Sequence, residues 1–111
     1  MTNRSKAKGS AYERLIADYL IGRGFPCERI PAGATADRGD LWVPVIEFPT
    51  IDCKNHARPQ LGAWVDRAYE QADNAGRVAG VVVHKRHGVA DPAEQFVTTS
   101  LAMFLRLLGV R

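Results

Sequence analysis

The sequence predicts an α/β fold in which helices flank a mixed central sheet, with the element order α-β-β-β-α-β-β-α. Two stretches have the apolar spacing of amphipathic helices, and "VAGVVVH" is a β-branched run typical of a strand covered on both faces. Short extended segments bounded by proline and glycine supply the other strands. A chain of 111 residues has the size of one domain. We therefore expect a single domain over residues 1–111, with residues 1–8 as a basic, flexible tail.

The first helix is predicted within "GSAYERLIADYLIGRGF". Ser10 can cap its start, and Gly22 and Gly24 can end it. The apolar residues that recur at helical spacing are Tyr12, Leu15, Ile16, Tyr19 and Leu20. Glu13 borders this apolar stripe, so it could reach a cleft beside the helix. Ser10 and Glu13 also form the S-x-x-E pattern of a capping box, which would make the role of the glutamate purely structural.

The next segments predict three short strands. "PCERI" is a strand candidate, and the small, polar "PAGATADRG" predicts a loop. "DLWVPVIEFPTIDCKN" then supplies two extended pieces, which we expect to pair antiparallel. Pro44 and Pro49 limit where ladder hydrogen bonds can form between them.

The second half predicts a helix, two strands and a closing helix. "QLGAWVDRAYEQADNAG" has one apolar and one charged face and stops near Gly76. After "VAGVVVH" and a basic loop, "QFVTTS" predicts a further strand. "LAMFLRLLG" predicts a helix that is apolar on nearly all sides, and such a helix needs burial on more than one face. Because a small domain supplies only part of that burial, the closing helix favours a homodimer. Trp64 and Phe104 are interpreted as core or interface residues.

Composition and charge narrow the protein class. No stretch approaches the roughly 20 apolar residues of a membrane span, and "MTNRSKAKGS" lacks the apolar segment of a secretory signal. We therefore expect a cytoplasmic protein with two free thiols, Cys27 and Cys53. The net charge is +3, with basic groups concentrated in "RSKAK" and "HKRH". Such groups suit a phosphate backbone, although a solvated tail and loop would have the same composition.

Acidic residues around the strand "IDCKN" point to metal chemistry. Side chains alternate along a strand, so Asp52 and Lys54 share one face. If Asp40 begins the neighbouring strand of the hairpin, its carboxylate can converge with that of Asp52. Converging carboxylates hold Mg²⁺ beside a phosphate, and a nearby ammonium can orient a water or stabilise charge developing on phosphorus. The pattern therefore predicts a nuclease in outline.

The same residues resemble a known signature. "GD", eleven intervening residues and "DCK" resemble the PD-(D/E)xK nuclease signature, with Gly39 where that family often has proline. "KGSAYE" resembles the opening of the archaeal-type Holliday junction resolvases, and the similarity covers roughly residues 8–108. Short resolvase-like proteins of actinobacterial bacteriophages look most similar, through "DCKNHAR", "AWVDRA" and "GVVVHKR".

The resemblance implies a restriction-endonuclease-like core and a Mg²⁺-dependent endodeoxyribonuclease, with Mn²⁺ as a substitute metal. By this resemblance Asp40 and Asp52 bind the metal, aided by the Cys53 carbonyl, and Glu13 completes the acidic cluster. Lys54 positions the attacking water. The implied substrate is a four-way junction in double-stranded DNA, cut by a homodimer in the cytoplasm, which is that of the host cell if a phage encodes the protein.

Predicted DNA contacts come from the basic segments and, by the resemblance, from Thr35 and Arg38 in the loop before Asp40 and from Gln71 on the second helix. They are Lys6, Lys8, Thr35, Arg38, Arg58, Gln71, Lys85 and Arg86.

Other interpretations of these residues remain open. Asp52 and Lys54 alone could form an ordinary salt pair. Cys53 with His56, and His84 with His87, have spacings that could together ligate zinc. At the level of function, the alternatives are another nuclease of the same superfamily, such as a nicking repair or restriction-like enzyme, and a non-catalytic protein that binds junction DNA.

Overall fold

A computed structural model of the chain describes residues 3–33 and 35–110. These residues form a compact α/β unit with a five-stranded mixed sheet and three α-helices, which confirms the predicted class. In chain order the elements are α1 (Asn3–Gly22), β1 (Glu28–Arg29), β2 (Leu41–Trp42), β3 (Thr50–Lys54), α2 (Leu61–Ala75), β4 (Gly80–His84), β5 (Phe96–Thr98) and α3 (Leu101–Leu107), with a short 3₁₀ turn at Pro92–Glu94.

The sheet has the strand order β1-β2-β3-β4-β5. β2 pairs antiparallel with β3, as predicted, and Leu41 lies opposite Ile51. β3 and β4 pair in parallel. The helix α2 lies between them in the sequence and returns the chain to the end of the sheet at which β3 begins. The parallel register places Lys54 opposite His84 at the carboxyl ends of the two strands. The segments that follow β3 and β4 therefore emerge side by side.

Two apolar layers cover the sheet, and successive side chains of β4 pack alternately into one layer and the other. Val81 and Val83 join the core beneath α1, whereas Val82 packs with Trp64 and Met103 beneath α2 and α3. The "VVV" run is buried for this reason, as its composition predicted. Gly80 admits the close approach of α2, since a Cβ there would overlap the carbonyl oxygen of Ala68.

The start of α1 corrects two predictions. The helix begins at Asn3, seven residues before the predicted cap at Ser10, so residues 3–8 are helical turns instead of a tail. Lysine and alanine favour helix, and nothing in "SKAK" stops it. Ser10 and Glu13 therefore lie inside the helix, where a capping box cannot form. The first two residues of the predicted tail lie outside the described residues.

The closing helix α3 buries only one face within the chain. Ser100 caps its start by accepting a 3.0 Å hydrogen bond from the N–H of Met103, which is fully buried. Leu101 and Leu108 remain 73% and 61% exposed. None of the helices in the described part of the chain is long and apolar enough to cross a membrane.

Candidate active site

The carboxyl groups of Asp40 and Asp52 converge at the β2–β3 hairpin. Asp40 directly precedes β2, and its N–H donates to the carbonyl of Ile51 at 2.8 Å. Its own Oδ2 accepts a 2.8 Å hydrogen bond from the N–H of Cys53, which holds the carboxyl group against β3. Asp52 is only 5% exposed and lies on the strand face opposite Ile51 and Cys53. The hairpin predicted from the sequence therefore brings the two acids together.

Burial and the proximity of Asp52 perturb the protonation of Asp40. Burial is the main cause that raises the pKa of this carboxyl to about 8, followed by its contact with Asp52 and by the more distant charge of Glu13. The hydrogen bond from the Cys53 N–H acts in the opposite direction and is too weak to prevail. Without a cation, Asp40 therefore retains a proton at neutral pH, because two buried carboxylates cannot both ionise cheaply.

Lys54 approaches the same pair. Its Nζ lies 3.5 Å from Oδ2 of Asp52, and its side chain is 30% exposed. That Oδ2 is buried and has no hydrogen-bond partner among the described residues, so the lysine contact is electrostatic and poorly directed. A buried carboxylate oxygen with unused acceptor capacity is what a bound cation would satisfy.

Glu13 lies at the wall of the same groove without joining the pair. The groove has a volume of about 810 Å³, and Glu13, Asp40 and Lys54 all line it. The Oε1 of Glu13 accepts hydrogen bonds of 3.3 and 3.2 Å from Nε and Nη2 of Arg29. Within residues 3–33 and 35–110, no three His, Cys, Asp or Glu side chains are arranged to hold a metal. The role of Glu13 as a third metal ligand therefore stays a prediction.

Cys53 contributes its backbone N–H to the site and its side chain to the core. Its side chain packs against the apolar layer beneath α1, and burial raises the pKa of its thiol. The carbonyl's predicted role toward a metal stays a prediction. Both cysteines are free thiols.

The histidines of the zinc interpretation have hydrogen-bond partners other than a shared metal site. Nε2 of His84 lies 2.7 Å from the hydroxyl of Thr98, and its ring packs against Trp64. His87 instead contacts the carbonyl of His56. With Cys53 turned into the core, the four predicted ligands do not meet.

Several basic side chains surround the acidic pair. Lys6 and Lys8 project from α1 into the groove that Lys54 also lines, so the structure brings together these predicted DNA contacts. Arg29 on β1 joins them, although sequence analysis did not select it. Its only sequence signal was a basic residue in a strand adjoining the predicted loop.

Two predicted contacts lie on the neighbouring strand end. Lys85 and Arg86 follow β4, and the N–H of Lys85 donates to the carbonyl of Lys54 at 2.9 Å. The ammonium of Lys85 donates a hydrogen bond to the carbonyl of Val89. The guanidinium of Arg86 lies 3.8 Å from Glu94. The basic loop therefore lies beside the groove with its charges partly occupied.

The remaining predicted contacts have varied positions. Thr35 and Arg58 are exposed and do not line the groove. Arg38 lies 4.9 Å from the ring centroid of Trp42 and lines a separate polar pocket of about 280 Å³ that also reaches Asp40. Gln71 is 1% exposed, and its Nε2 donates to Asp37 at 3.1 Å. Its prediction as a DNA contact is therefore wrong, because its side chain is enclosed within the protein.

Asp37 and Arg67 are the site residues that sequence analysis missed. The Nε of Arg67 donates to Oδ2 of Asp37 at 2.7 Å, and this contact joins the loop before Asp40 to α2. The two residues are thirty positions apart, and no local pattern pairs them. Only the Arg67–Glu70 spacing on one helix face was visible in the sequence.

Comparison of the chain with protein-family models, with curated proteins and with solved structures yields no match.

Proposed function

We propose that the protein is a Mg²⁺-dependent, structure-selective endodeoxyribonuclease with a restriction-endonuclease-like core, and that its substrate is a four-way DNA junction. The observation that carries this proposal is the convergence of Asp40 and Asp52, with Lys54 beside them, where Asp40 and Lys54 line a groove that also has basic side chains. The resemblance of these residues to the PD-(D/E)xK signature supports the assignment.

The residues present fit a hard divalent cation. Mg²⁺ is commonly held by one or two carboxylates, with waters and substrate phosphate oxygens completing its coordination. Asp40 and Asp52 offer such a pair, and the buried Oδ2 of Asp52 has no hydrogen-bond partner among the described residues. A bound Mg²⁺ would supply Lewis-acid stabilisation of charge on the phosphate and a more acidic water.

The chain's own residues would orient the substrate and the water. Lys54 can hold a water beside the acidic pair and can offset negative charge that develops on phosphorus. Lys6, Lys8 and Arg29 would bind backbone phosphates along the groove, since their ammonium and guanidinium groups suit phosphate whatever the base sequence. Selectivity would then follow the shape of the DNA.

A homodimer accords with a junction substrate. Leu101 and Phe104 on α3, Leu108 directly after it and Val97 on the edge strand β5 are exposed apolar residues. A two-fold dimer would present two equivalent grooves, and a four-way junction has two equivalent strands to cut.

A cleavage assay tests the proposal. End-labelled four-way, flapped and linear DNA of equal length would be incubated with the protein in Mg²⁺ or in EDTA. We expect Mg²⁺-dependent cuts in the four-way substrate, at paired positions on opposite strands. Equal cutting of the linear duplex would instead support a nicking or restriction-like nuclease of the same superfamily.

One observation favours a second candidate, a junction-binding protein without cleavage activity. Within the described part of the chain no third carboxylate joins the acidic pair in a metal-binding group, and the raised pKa of Asp40 means that a cation must displace a proton at neutral pH. Retarded migration of four-way DNA in a gel, with no product in Mg²⁺ or Mn²⁺, would support this candidate.

A further inference from the structure

The side chain of Asp37 joins the loop that ends at Asp40 to α2. Its Oδ1 accepts a 2.9 Å hydrogen bond from the N–H of Gly39. Its Oδ2 accepts from Nε of Arg67 at 2.7 Å and from Nε2 of Gln71 at 3.1 Å. The backbone carbonyl of Asp37 accepts a fourth bond, from the side chain of Asn74 at 2.8 Å. Three residues of α2 thus bind one loop residue.

Asp37 is connected to the acidic pair through a backbone that has little freedom. Gly39 has φ +94°, and a Cβ there would lie 2.6 Å from the carbonyl oxygen of Ile51. The next residue, Asp40, bonds that same carbonyl through its N–H. The loop is therefore held at Asp37 by α2 and at Asp40 by β3, with a glycine between them that permits the close approach.

We propose that Asp37 is a positioning residue that couples α2 to the acidic pair, so that its carboxylate sets where the Asp40 side chain lies relative to Asp52. This inference rests on the proposed nuclease function, in which Asp40 binds the metal. Asp37 itself contacts neither metal nor DNA in this role, and it acts through Gly39 and Asp40.

A carboxylate suits this position better than an amide. An asparagine at 37 could still accept from Gly39, but its NH₂ group would then face the N–H groups of Arg67 and Gln71. Gln71 could adapt by reversing its amide, because its Oε1 is buried with no hydrogen-bond partner among the described residues. Arg67 carries only donors and could not adapt. Asp37→Asn should therefore have a smaller effect than Asp37→Ala.

The chain offers a matched control on the same helix. Glu70 also pairs with Arg67, at 3.0 Å, but it is exposed, and this ion pair joins two residues of the same helix. Glu70→Gln removes one carboxylate from the same arginine and leaves Asp37 in place. An effect that arises only from the loss of a carboxylate beside Arg67 would appear in both Asp37→Ala and Glu70→Gln.

The primary measurement is single-turnover cleavage of a four-way DNA junction across a range of Mg²⁺ concentrations. Outer contacts that orient metal ligands change metal affinity or activity by roughly 10- to 100-fold. We expect Asp37→Ala to lose activity within that range, with partial recovery at high Mg²⁺. The Kd for the junction in Ca²⁺ should stay within about twofold, because no phosphate contact is removed. Glu70→Gln should match the unmodified protein.

A second measurement is independent of cleavage. The Cys53 N–H donates to Oδ2 of Asp40, so amide exchange at Cys53 reports whether that carboxyl group is in place. We expect this exchange to be roughly tenfold faster in Asp37→Ala, and unchanged at Val82 in the core of β4. Asp40→Ala provides the reference for complete loss of the contact.

The outcomes separate this inference from the proposed function. Unchanged Cys53 exchange and unchanged Mg²⁺ dependence in Asp37→Ala would overturn the positioning role even if the protein is a nuclease. An unmodified protein that cuts no DNA would overturn the proposed function, while faster Cys53 exchange in Asp37→Ala would still support the coupling. If Asp37→Ala does not fold, Asp37→Asn is measured instead, and full activity with unchanged exchange in that variant would overturn the inference.

Discussion

The carboxylate of Asp40 accepts a hydrogen bond from the backbone N–H of Cys53, thirteen residues along the chain. A strand edge thus fixes one acid of the pair, while Asp52 on the same strand provides the other. One hairpin therefore supplies both carboxylates and the amide that orients the Asp40 carboxylate.

Asp52→Asn should abolish cleavage and leave DNA binding intact. The change removes one charge of the carboxylate pair without altering the basic groove, so we expect at least a roughly 100-fold loss of turnover. Lys54→Ala should also lose turnover but retain metal binding. Cleavage assays and junction binding in Ca²⁺ measure the two properties separately. Full activity of Asp52→Asn would exclude this site.

Glu13→Gln should lower turnover less than Asp52→Asn does, and the two losses should differ by about tenfold or more. Glu13 is held by Arg29 and influences Asp40 only through its charge. The pair is partly exposed, so the free energy of unfolding should change by less than about 1 kcal/mol. A loss of turnover equal to that of Asp52→Asn would show that Glu13 reaches the metal during catalysis.

The stability of the metal-free protein should fall as the pH rises from about 4 to 8. The folded state raises the pKa of Asp40 to about 8, from an ordinary value of 3.8, so the native protein binds a proton that the unfolded chain releases in this range. That contribution is present below pH 4 and is lost as the pH passes through 8. Denaturant unfolding of Asp40→Asn, compared with the unmodified protein across this range, isolates the effect, and saturating Mg²⁺ should reduce it.

Arg77→Met should destabilise the fold by at least about 2 kcal/mol. Arg77 is buried, and its guanidinium donates to the carbonyls of Val43, Val45 and Phe48 at 2.7 to 3.0 Å. Removing it leaves buried acceptors without partners in the segment that joins β2 to β3. Urea unfolding measures the loss, and the exposed Arg58→Met should stay within about 0.5 kcal/mol of the unmodified protein.

Leu108→Lys should weaken self-association without unfolding the protein. The side chain is mostly exposed in the single chain, so a charge there costs little until a partner covers it. We expect light scattering to give a mass near twice 12.2 kDa for the unmodified protein and a lower mass for the variant. Ile46→Lys is a matched control, since Ile46 is 67% exposed in the loop between β2 and β3. A strictly monomeric unmodified protein, even with junction DNA, would favour the nicking enzyme.

Local patterns in the sequence were sufficient for much of the fold and for the centre of the site. The periodicity of "AWVDRAYEQA" predicted α2, and the β-branched run predicted β4. Alternation placed Asp52 and Lys54 on one strand face, and the hairpin placed Asp40 beside them. These features depend on neighbours along the chain or on one short turn, so residue order carries them directly.

Other features depend on which elements pack together. The enclosure of Gln71 and the bond between Asp37 and Arg67 require α2 to lie against the loop, and Thr98, the partner of His84, lies on the neighbouring strand β5. The sequence by itself determined the strands, most of the helices and the candidate acids. Only the tertiary structure decided which polar side chains meet across thirty or more positions, because such contacts are set by the packing of whole elements and leave no periodic trace in the order of residues.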